Sequence, residues 1–163
     1  ESLGPFRWSP TAAPGFDLPC ANGGSMTMPK GRPTLVIFYL GFGCLHCVQQ
    51  LEALSPKAKD FAAAGIDIVA IGNQSLDKTV DSVAALGDQK FAFPLLADPE
   101  LAAFKAWRCY DDFEEMPLHG TFLVDGDGKV RWQDISFEPF TQIDWLLAES
   151  KRLLALPSNV GSK

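Results

Sequence analysis

Residues 34–48 read Thr34-Leu35-Val36-Ile37-Phe38-Tyr39-Leu40-Gly41-Phe42-Gly43-Cys44-Leu45-His46-Cys47-Val48. The β-branched and aromatic residues at 34–39 predict a buried strand. Beyond the second cysteine, apolar residues recur at helical spacing as far as Phe61, and Gly65 offers a C-terminal cap for a helix over about 44–64. The sequence therefore predicts a strand that delivers a Cys-x-x-Cys pair to the start of a helix.

That placement bears on the reactivity of Cys44 and Cys47. Only a thiolate attacks, and a free thiol with a pKa of about 8.5 is mostly protonated at neutral pH. Unpaired N–H groups at a helix start would stabilise the Cys44 thiolate, and Cys47 follows about one turn later, within reach of a disulfide. The pair alone fits redox chemistry, a metal site, a structural disulfide or two inert thiols. Covalent haem attachment is excluded because Val48 occupies the place of the required histidine.

The bulk composition restricts the class of protein. A length of 163 residues predicts one domain over 1–163, with an extended N-terminal arm at 1–13 and a loose tail at 157–163. The net charge of −6 argues against nucleic-acid and anionic-membrane partners, and no apolar stretch reaches the ~18 residues of a membrane span. The chain starts at Glu1 without a visible signal peptide, so a cytoplasmic location and export as a mature or excised domain both stay open.

The remaining elements alternate between strands and helices. Strands are predicted at 66–71, 93–97, 121–124 and 129–132, with a tight turn joining the last two and a short hairpin near 21–24. Helices are predicted at 77–86, at 99–107 with Asp98 as N-cap, and at 139–156 with Trp145, Leu146, Leu153 and Leu154 as core contacts. This order predicts an α/β protein, a three-layer α/β/α sandwich around a central mixed β-sheet.

Several segments resemble a thioredoxin-fold redoxin, and in particular the peroxiredoxin-like alkyl hydroperoxide reductase/thiol-specific antioxidant (AhpC/TSA) family. Residues 38–47 look like the family's Phe-Tyr-Arg-Gly-Gly-Trp-Cys-Pro-x-Cys site. Further similar segments are Pro14-Gly15-Phe16-Asp17-Leu18-Pro19, Gly31-Arg32-Pro33, Phe93-Pro94-Leu95-Leu96-Ala97-Asp98 and Gly120-Thr121-Phe122-Leu123-Val124-Asp125-Gly126-Asp127-Gly128-Lys129-Val130. The resemblance covers about 14–155. It implies a thioredoxin-like fold and a thiol–disulfide oxidoreductase with peroxidase activity and no cofactor, in which Cys44 attacks and Cys47 resolves. Its partners would be an external thiol reductant, a protein disulfide or a peroxide.

The chain departs from the family at three positions. Gly41 stands where peroxiredoxins carry a threonine, and His119 stands where they carry an arginine. Gly120 occupies the place of the thioredoxin cis-proline, and Pro117 lies three residues earlier. The first two changes, together with the neighbouring Cys47, favour disulfide exchange over peroxide reduction. Gly43, Gly120 and Pro117 complete the set of supporting residues.

Both histidines are candidate site residues. His46 resembles a histidine that stabilises the thiolate in related Cys-x-His-Cys sites; the alternative is a solvated residue on the helix face. We hypothesise that His119 replaces the peroxiredoxin arginine as a proton carrier or as a charge beside the thiolate; the alternative is a hydrogen-bonded residue at a strand edge.

Two other function classes stay open. Cys44, Cys47 and His119 could bind Cu(I) in a metal-delivery module, although similar copper sites use a Cys-x-x-x-Cys spacing. The fold could also serve as an inactive binding domain. Cys20 and Cys109 are predicted to be spectators, with a disulfide between them or a third resolving cysteine as alternatives.

Overall fold

The computed structural model describes residues 10–41, 45–85 and 91–157, and for residues 45–48 it describes the backbone without the side chains. The predicted site residues Gly43 and Cys44 lie outside the described residues. The backbones of His46 and Cys47 are described as part of a helix, whereas their side chains are not. The extent of the domain over 1–163 stays a prediction.

A six-stranded mixed sheet forms the centre of the described structure. Its strands in spatial order are β1 (Thr11–Ala12), β10 (Lys129–Ser136), β9 (His119–Val124), β4 (Thr34–Tyr39), β5 (Asp67–Gly72) and β6 (Leu95–Ala97). Strands β4, β5 and β6 run parallel, whereas β9 pairs antiparallel with both β4 and β10. The sheet is therefore mixed, as the sequence predicted.

Helices cover both faces of the sheet. They are α1 (Leu45–Leu54), α2 (Ala58–Ala63), α3 (Leu76–Ala85), α4 (Ala102–Ala106) and α5 (Ile143–Leu154), with a 3₁₀ turn at Ser55–Lys57. Leu35, Ile37 and Tyr39 of β4 pack with side chains of α1, α2 and α5, whereas Val36 and Phe38 pack with side chains of α4. Because successive strand residues point to opposite faces, the fully buried run of β4 supplies both layers of core. The fold is the predicted three-layer α/β sandwich.

The helix predicted over 44–64 is interrupted. Residues 55–57 form the 3₁₀ turn with Pro56 in its first turn, where the missing proline N–H breaks the α-helical pattern. The chain then continues as α2 and leaves it at Gly65, whose φ of 78° fits a C-terminal glycine cap.

The helix predicted over 99–107 starts later than expected. Leu101 adopts a left-handed φ of 62°, so that the helix contains only Ala102–Ala106. The prediction of Asp98 as the N-cap residue is therefore wrong, because Leu101 occupies that position. The Asp98 carboxylate still accepts hydrogen bonds from the backbone N–H groups of Ala102, Ala103 and Phe104 at the helix start.

Four further expectations are modified. Part of the predicted N-terminal arm is the edge strand β1, and the late hairpin is longer than predicted, which places His119 within β9. The helix predicted at 139–156 is confined to Ile143–Leu154, and Trp145 is 45% exposed rather than part of the core. Its ring packs at a tilted angle against the rings of Trp132 and Phe140. The hairpin near 21–24 is confirmed as β2 (Asp17–Pro19) and β3 (Ser25–Thr27), whereas the small ladder of β7 (Tyr110–Asp111) and β8 (Met116–Pro117) was not predicted.

Candidate active site

The carboxyl ends of the parallel strands β4 and β5 lie at one end of the sheet, where Tyr39 pairs with Gly72. The described part of α1 follows from Leu45 onward. In the sequence, the predicted nucleophile Cys44 comes between this strand end and this helix. In open α/β sheets, sites form outside the carboxyl ends of the strands, and this edge is therefore the candidate active site.

A buried hydrogen bond ties α1 to β9. The Gln50 side-chain Nε2 donates to Thr121 Oγ1 at 3.1 Å, and the two residues are 1% and 2% exposed. Gln50 lies three residues after Cys47 in α1, and Thr121 lies two residues after His119 in β9. The bond therefore fixes the distance between the two elements that carry the candidate site residues. Sequence reasoning missed Gln50. Its only signal in the sequence was a polar residue next to Leu51 and four residues before Leu54, in the apolar part of the helix pattern.

His119 is a buried histidine at the start of β9. Its exposed fraction is 4%, and burial lowers the pKa of its imidazole, partly opposed by the charge of Glu138. The imidazole is therefore neutral at neutral pH. A neutral imidazole is compatible with the hypothesis that His119 is a proton carrier. The lowered pKa argues against the second hypothesis, in which a permanently charged His119 replaces the arginine.

Gly120 faces the opposite side of the sheet from the Gln50–Thr121 bond. A Cβ built on Gly120 would collide with the Sγ of Cys109 and would lie 2.8 Å from a ring carbon of Phe122. Any side chain at this position, a proline ring included, would displace the core. Pro117 lies in the β8 strand and pairs with Tyr110, and none of the described peptide bonds is cis. Gly120 thus permits close packing at β9, and neither residue forms a thioredoxin-like proline site.

Cys20 and Cys109 are free buried thiols. Both belong to the cluster on the α4 face of the sheet, and burial raises the pKa of the fully buried Cys109 thiol far above its usual value. Their prediction as spectators is consistent with this burial, and the alternative disulfide between them is not formed.

A second polar group at the same sheet end was also missed by sequence reasoning. The loop after β5 carries Asn73 and Gln74, and the Gln74 carboxamide lies against Gly41. The Tyr39 ring crosses the neighbouring Gly72, and burial raises the pKa of its phenol, which is therefore neutral. Amides and hydroxyls at this end of the sheet can donate and accept hydrogen bonds without carrying a charge.

Among the described side chains, no group of three or more His, Cys, Asp or Glu could hold a metal ion. The side chains of Cys44 and Cys47, on which the copper alternative depends, are not among them. None of the described helices is long and apolar enough to cross a membrane.

Comparisons with known proteins identify the family. Residues 10–133 match the AhpC/TSA family. A Mycobacterium tuberculosis protein with peroxiredoxin in its name is 32% identical over 126 residues, which cover 72% of this chain and 78% of that protein. Peroxiredoxin 2 of Thermoplasma acidophilum is 24% identical over 127 residues, which cover 74% of this chain and 62% of that protein.

Solved structures show the same fold. Peroxidoxin BcpB from Mycobacterium tuberculosis superimposes with a TM-score of 0.77 at 19% identity, covering 91% of this chain and 98% of that one. Peroxiredoxin Q from Xanthomonas campestris gives 0.74 at 21% identity, covering 84% and 90%. The chain thus belongs to the AhpC/TSA family and has the thioredoxin-like fold of peroxiredoxins. It is an oxidoreductase of the thiol peroxidase class. Family membership therefore favours peroxide reduction as the main activity, whereas the departures at Gly41 and His119 had favoured disulfide exchange.

Proposed function

We propose that this protein reduces hydroperoxides with Cys44 as the attacking thiolate and Cys47 as the resolving thiol. The observation that carries this proposal is the position of Cys44 in the chain, between the carboxyl end of β4 and a helix that the structure describes from Leu45 onward. Helix N–H groups stabilise an anion there, which favours the thiolate of Cys44 over its protonated form. Membership of the AhpC/TSA family supports peroxide as the oxidising substrate.

The proposed reaction has three balanced steps. The Cys44 thiolate attacks the terminal oxygen of ROOH, so that an S–O bond forms, the O–O bond breaks and the leaving alkoxide takes one proton to become ROH. The Cys47 thiol then attacks the sulfenic acid of Cys44, releasing water and forming the Cys44–Cys47 disulfide. An external dithiol finally supplies two electrons and two protons by thiol–disulfide exchange and regenerates both thiols.

The last step links the two activities predicted from the sequence. A Cys44–Cys47 disulfide that is reduced by an external dithiol can also exchange with a protein disulfide, because both reactions pass through a mixed disulfide. General thiol–disulfide exchange is therefore proposed as a second activity of the same pair.

The supporting residues have distinct proposed roles. His119, which its lowered pKa keeps neutral, can relay a proton: one ring nitrogen donates its proton to the leaving oxygen while the other takes up a proton from solvent. His46, placed between the cysteines, is proposed to stabilise the Cys44 thiolate. Gly43 leaves the backbone before Cys44 free of a side chain, and Gly120 and Pro117 shape the start of β9 rather than contact substrate.

Peroxide consumption coupled to a dithiol tests the proposal. Wild type, Cys44→Ser, Cys47→Ser and a control variant, Cys109→Ala, would be compared. We expect no turnover for Cys44→Ser, a single oxidation without dithiol-driven turnover for Cys47→Ser, and full activity for Cys109→Ala. Turnover by Cys44→Ser at the rate of the wild type would refute the assignment.

A further inference from the structure

Gly41 and Gln74 are neighbours because of the register of the parallel strands. Tyr39 of β4 pairs with Gly72 of β5. Two residues beyond this pair, the segment after β4 reaches Gly41 and the segment after β5 reaches Gln74. Gly41 also lies three residues before Cys44, which limits the separation of their Cα atoms to about 11 Å.

The Gln74 side chain fills the space that a side chain at position 41 would need. A Cβ built on Gly41 would lie 2.8 Å from Gln74 Nε2, 3.0 Å from Cδ and 3.1 Å from Cγ. Gly41 is itself buried and has a left-handed φ of 52°, a conformation that a β-branched residue rarely adopts. The backbone at 41 is thus built around a glycine, and the amide of Gln74 stands where the sequence comparison expected a hydroxyl.

The carbonyl oxygen of the Gln74 amide has no hydrogen-bond partner in the described structure. In the part of the chain that the structure describes, this Oε1 atom is buried and accepts no hydrogen bond, and the same is true of the Oδ1 of the adjacent Asn73. Burying an acceptor without a donor costs about 1–3 kcal/mol, so a native protein retains such a group for a reason. A ligand with an O–H group would provide the missing donor.

We propose that Gln74 contacts the hydroperoxide and orients it for attack by Cys44. This inference rests on the proposed function. The Gln74 Oε1 accepts a hydrogen bond from the peroxide O–H, and Nε2 donates to the oxygen that leaves. The S–O bond forms and the O–O bond breaks as described above. The amide gives up no proton, because the leaving oxygen takes its proton from His119 or from solvent. The substrate class is therefore a small or alkyl hydroperoxide with a free O–H.

A purely steric role makes a different prediction. If Gln74 only covered Gly41, an apolar side chain of similar size would serve equally well. Gln74→Leu keeps the volume over Gly41 and removes both hydrogen-bonding atoms, whereas Gln74→Ala removes both volume and hydrogen bonds. Gln133→Ala is the matched control, since Gln133 is an exposed glutamine on β10.

Two rates measured on the same full-length variants separate the possibilities. The first is the second-order rate of Cys44 oxidation by hydrogen peroxide and by cumene hydroperoxide. The second is the rate of Cys44 alkylation by iodoacetamide across pH, which reports the thiolate without a peroxide. For Gln74→Leu we expect oxidation to slow about tenfold, the value of one lost hydrogen bond to a reacting group, while alkylation and its pH profile stay unchanged. Thermal melting would verify that each variant is folded.

Each other outcome has a definite meaning. Oxidation of Gln74→Leu at the wild-type rate would overturn the inference and leave Gln74 as a space-filling residue. Equal slowing of oxidation and alkylation would overturn it as well, because Gln74 would then act on the thiolate. A wild-type protein that alkylates at Cys44 but does not react with either peroxide would reject the proposed function itself, and no variant is needed to recognise that case.

Discussion

The buried polar groups at the two ends of the central sheet differ in whether they have hydrogen-bond partners. At the end where β9 finishes, the Asp125 carboxylate accepts hydrogen bonds from the N–H groups of Asp127 and Lys129 and pairs with Arg131 at 2.6 Å. At the other end, where β4 finishes, carbonyl oxygens of Gln50, Asn73 and Gln74 are buried with no hydrogen bond in the described structure. Ser150 in α5 is an additional case.

This difference separates structural from functional polarity. A buried ion pair that satisfies all its hydrogen bonds is a part of the fold, and its removal should affect stability. Buried acceptors that lack donors cost stability, and those of Asn73 and Gln74 follow the carboxyl end of β5, so their removal should affect the reaction more than the fold. The predictions below test this contrast.

The largest effect is expected from Arg131→Met. This change leaves Asp125, which is 6% exposed, as a buried charge without its partner, and should lower the free energy of unfolding by about 3–5 kcal/mol. The measurement is urea unfolding at neutral pH. The folded fraction should still reduce peroxide, because the pair lies at the opposite end of the sheet from the carboxyl end of β4.

Arg32→Met is the matched control for that change. Arg32 pairs with Asp67 at 2.9 Å, but their side chains are 59% and 41% exposed, so solvent screens the interaction and stability should change little. Similar losses for the two variants would show that burial does not distinguish the Asp125–Arg131 pair.

Acid should weaken the fold through Asp125. Burial raises the pKa of this carboxyl, but the N–H of Lys129 and the guanidinium of Arg131 outweigh burial and hold the pKa below its usual value. A lowered folded pKa gives a contribution to stability that is complete above the unfolded pKa of about 3.9 and is lost as the pH falls through the folded pKa. Unfolding free energies measured from pH 7 downward should therefore fall more steeply below about pH 4 for the wild type than for Asp125→Asn. Parallel curves would contradict this assignment.

A smaller effect is expected at the site end. Thr121→Val leaves the Gln50 amide without its acceptor and should cost about 1 kcal/mol, whereas the double change Gln50→Leu with Thr121→Val removes both partners and should restore most of that stability. Because α1 then loses its tie to β9, the rate of peroxide reduction should fall in the double variant although the fold is stable. If the double variant reduced peroxide at the wild-type rate, the Gln50–Thr121 bond would have only a structural role.

The sequence could predict features that depend on local patterns, but not those that depend on contacts between distant segments. The sheet, its layers and the delivery of the cysteine pair to a helix start follow from local patterns: the apolar run at 34–39, the glycine at 65 and the tight turn at 125–128. Gln74 could not be found in this way, because its contact with Gly41 depends on the register of two strands that are distant in sequence. Gln50 and the burial of His119 likewise depend on packing between α1, β9 and β10. Leu101 shows the limit for local structure, since its left-handed backbone shortens α4 and makes Leu101 the N-cap in place of the predicted Asp98.

The smallest expected effect concerns His119, which lies between the two classes of polar group. Burial lowers its pKa below the usual value of 6.5, while Glu138 acts in the opposite direction. For a base with a lowered folded pKa, the unfolded state binds more protons between the folded pKa and about 6.5, so stability should rise with pH across that window and level off above it. His119→Gln should remove this rise, as urea unfolding between pH 5 and pH 8 would detect. A wild-type curve as flat as that of the variant would mean that the pKa of His119 is the same in the folded and unfolded states, which contradicts the lowering by burial. Stability that instead falls as the pH rises above about 6.5 would mean a raised folded pKa, and would restore the interpretation of His119 as a fixed positive charge in place of the arginine.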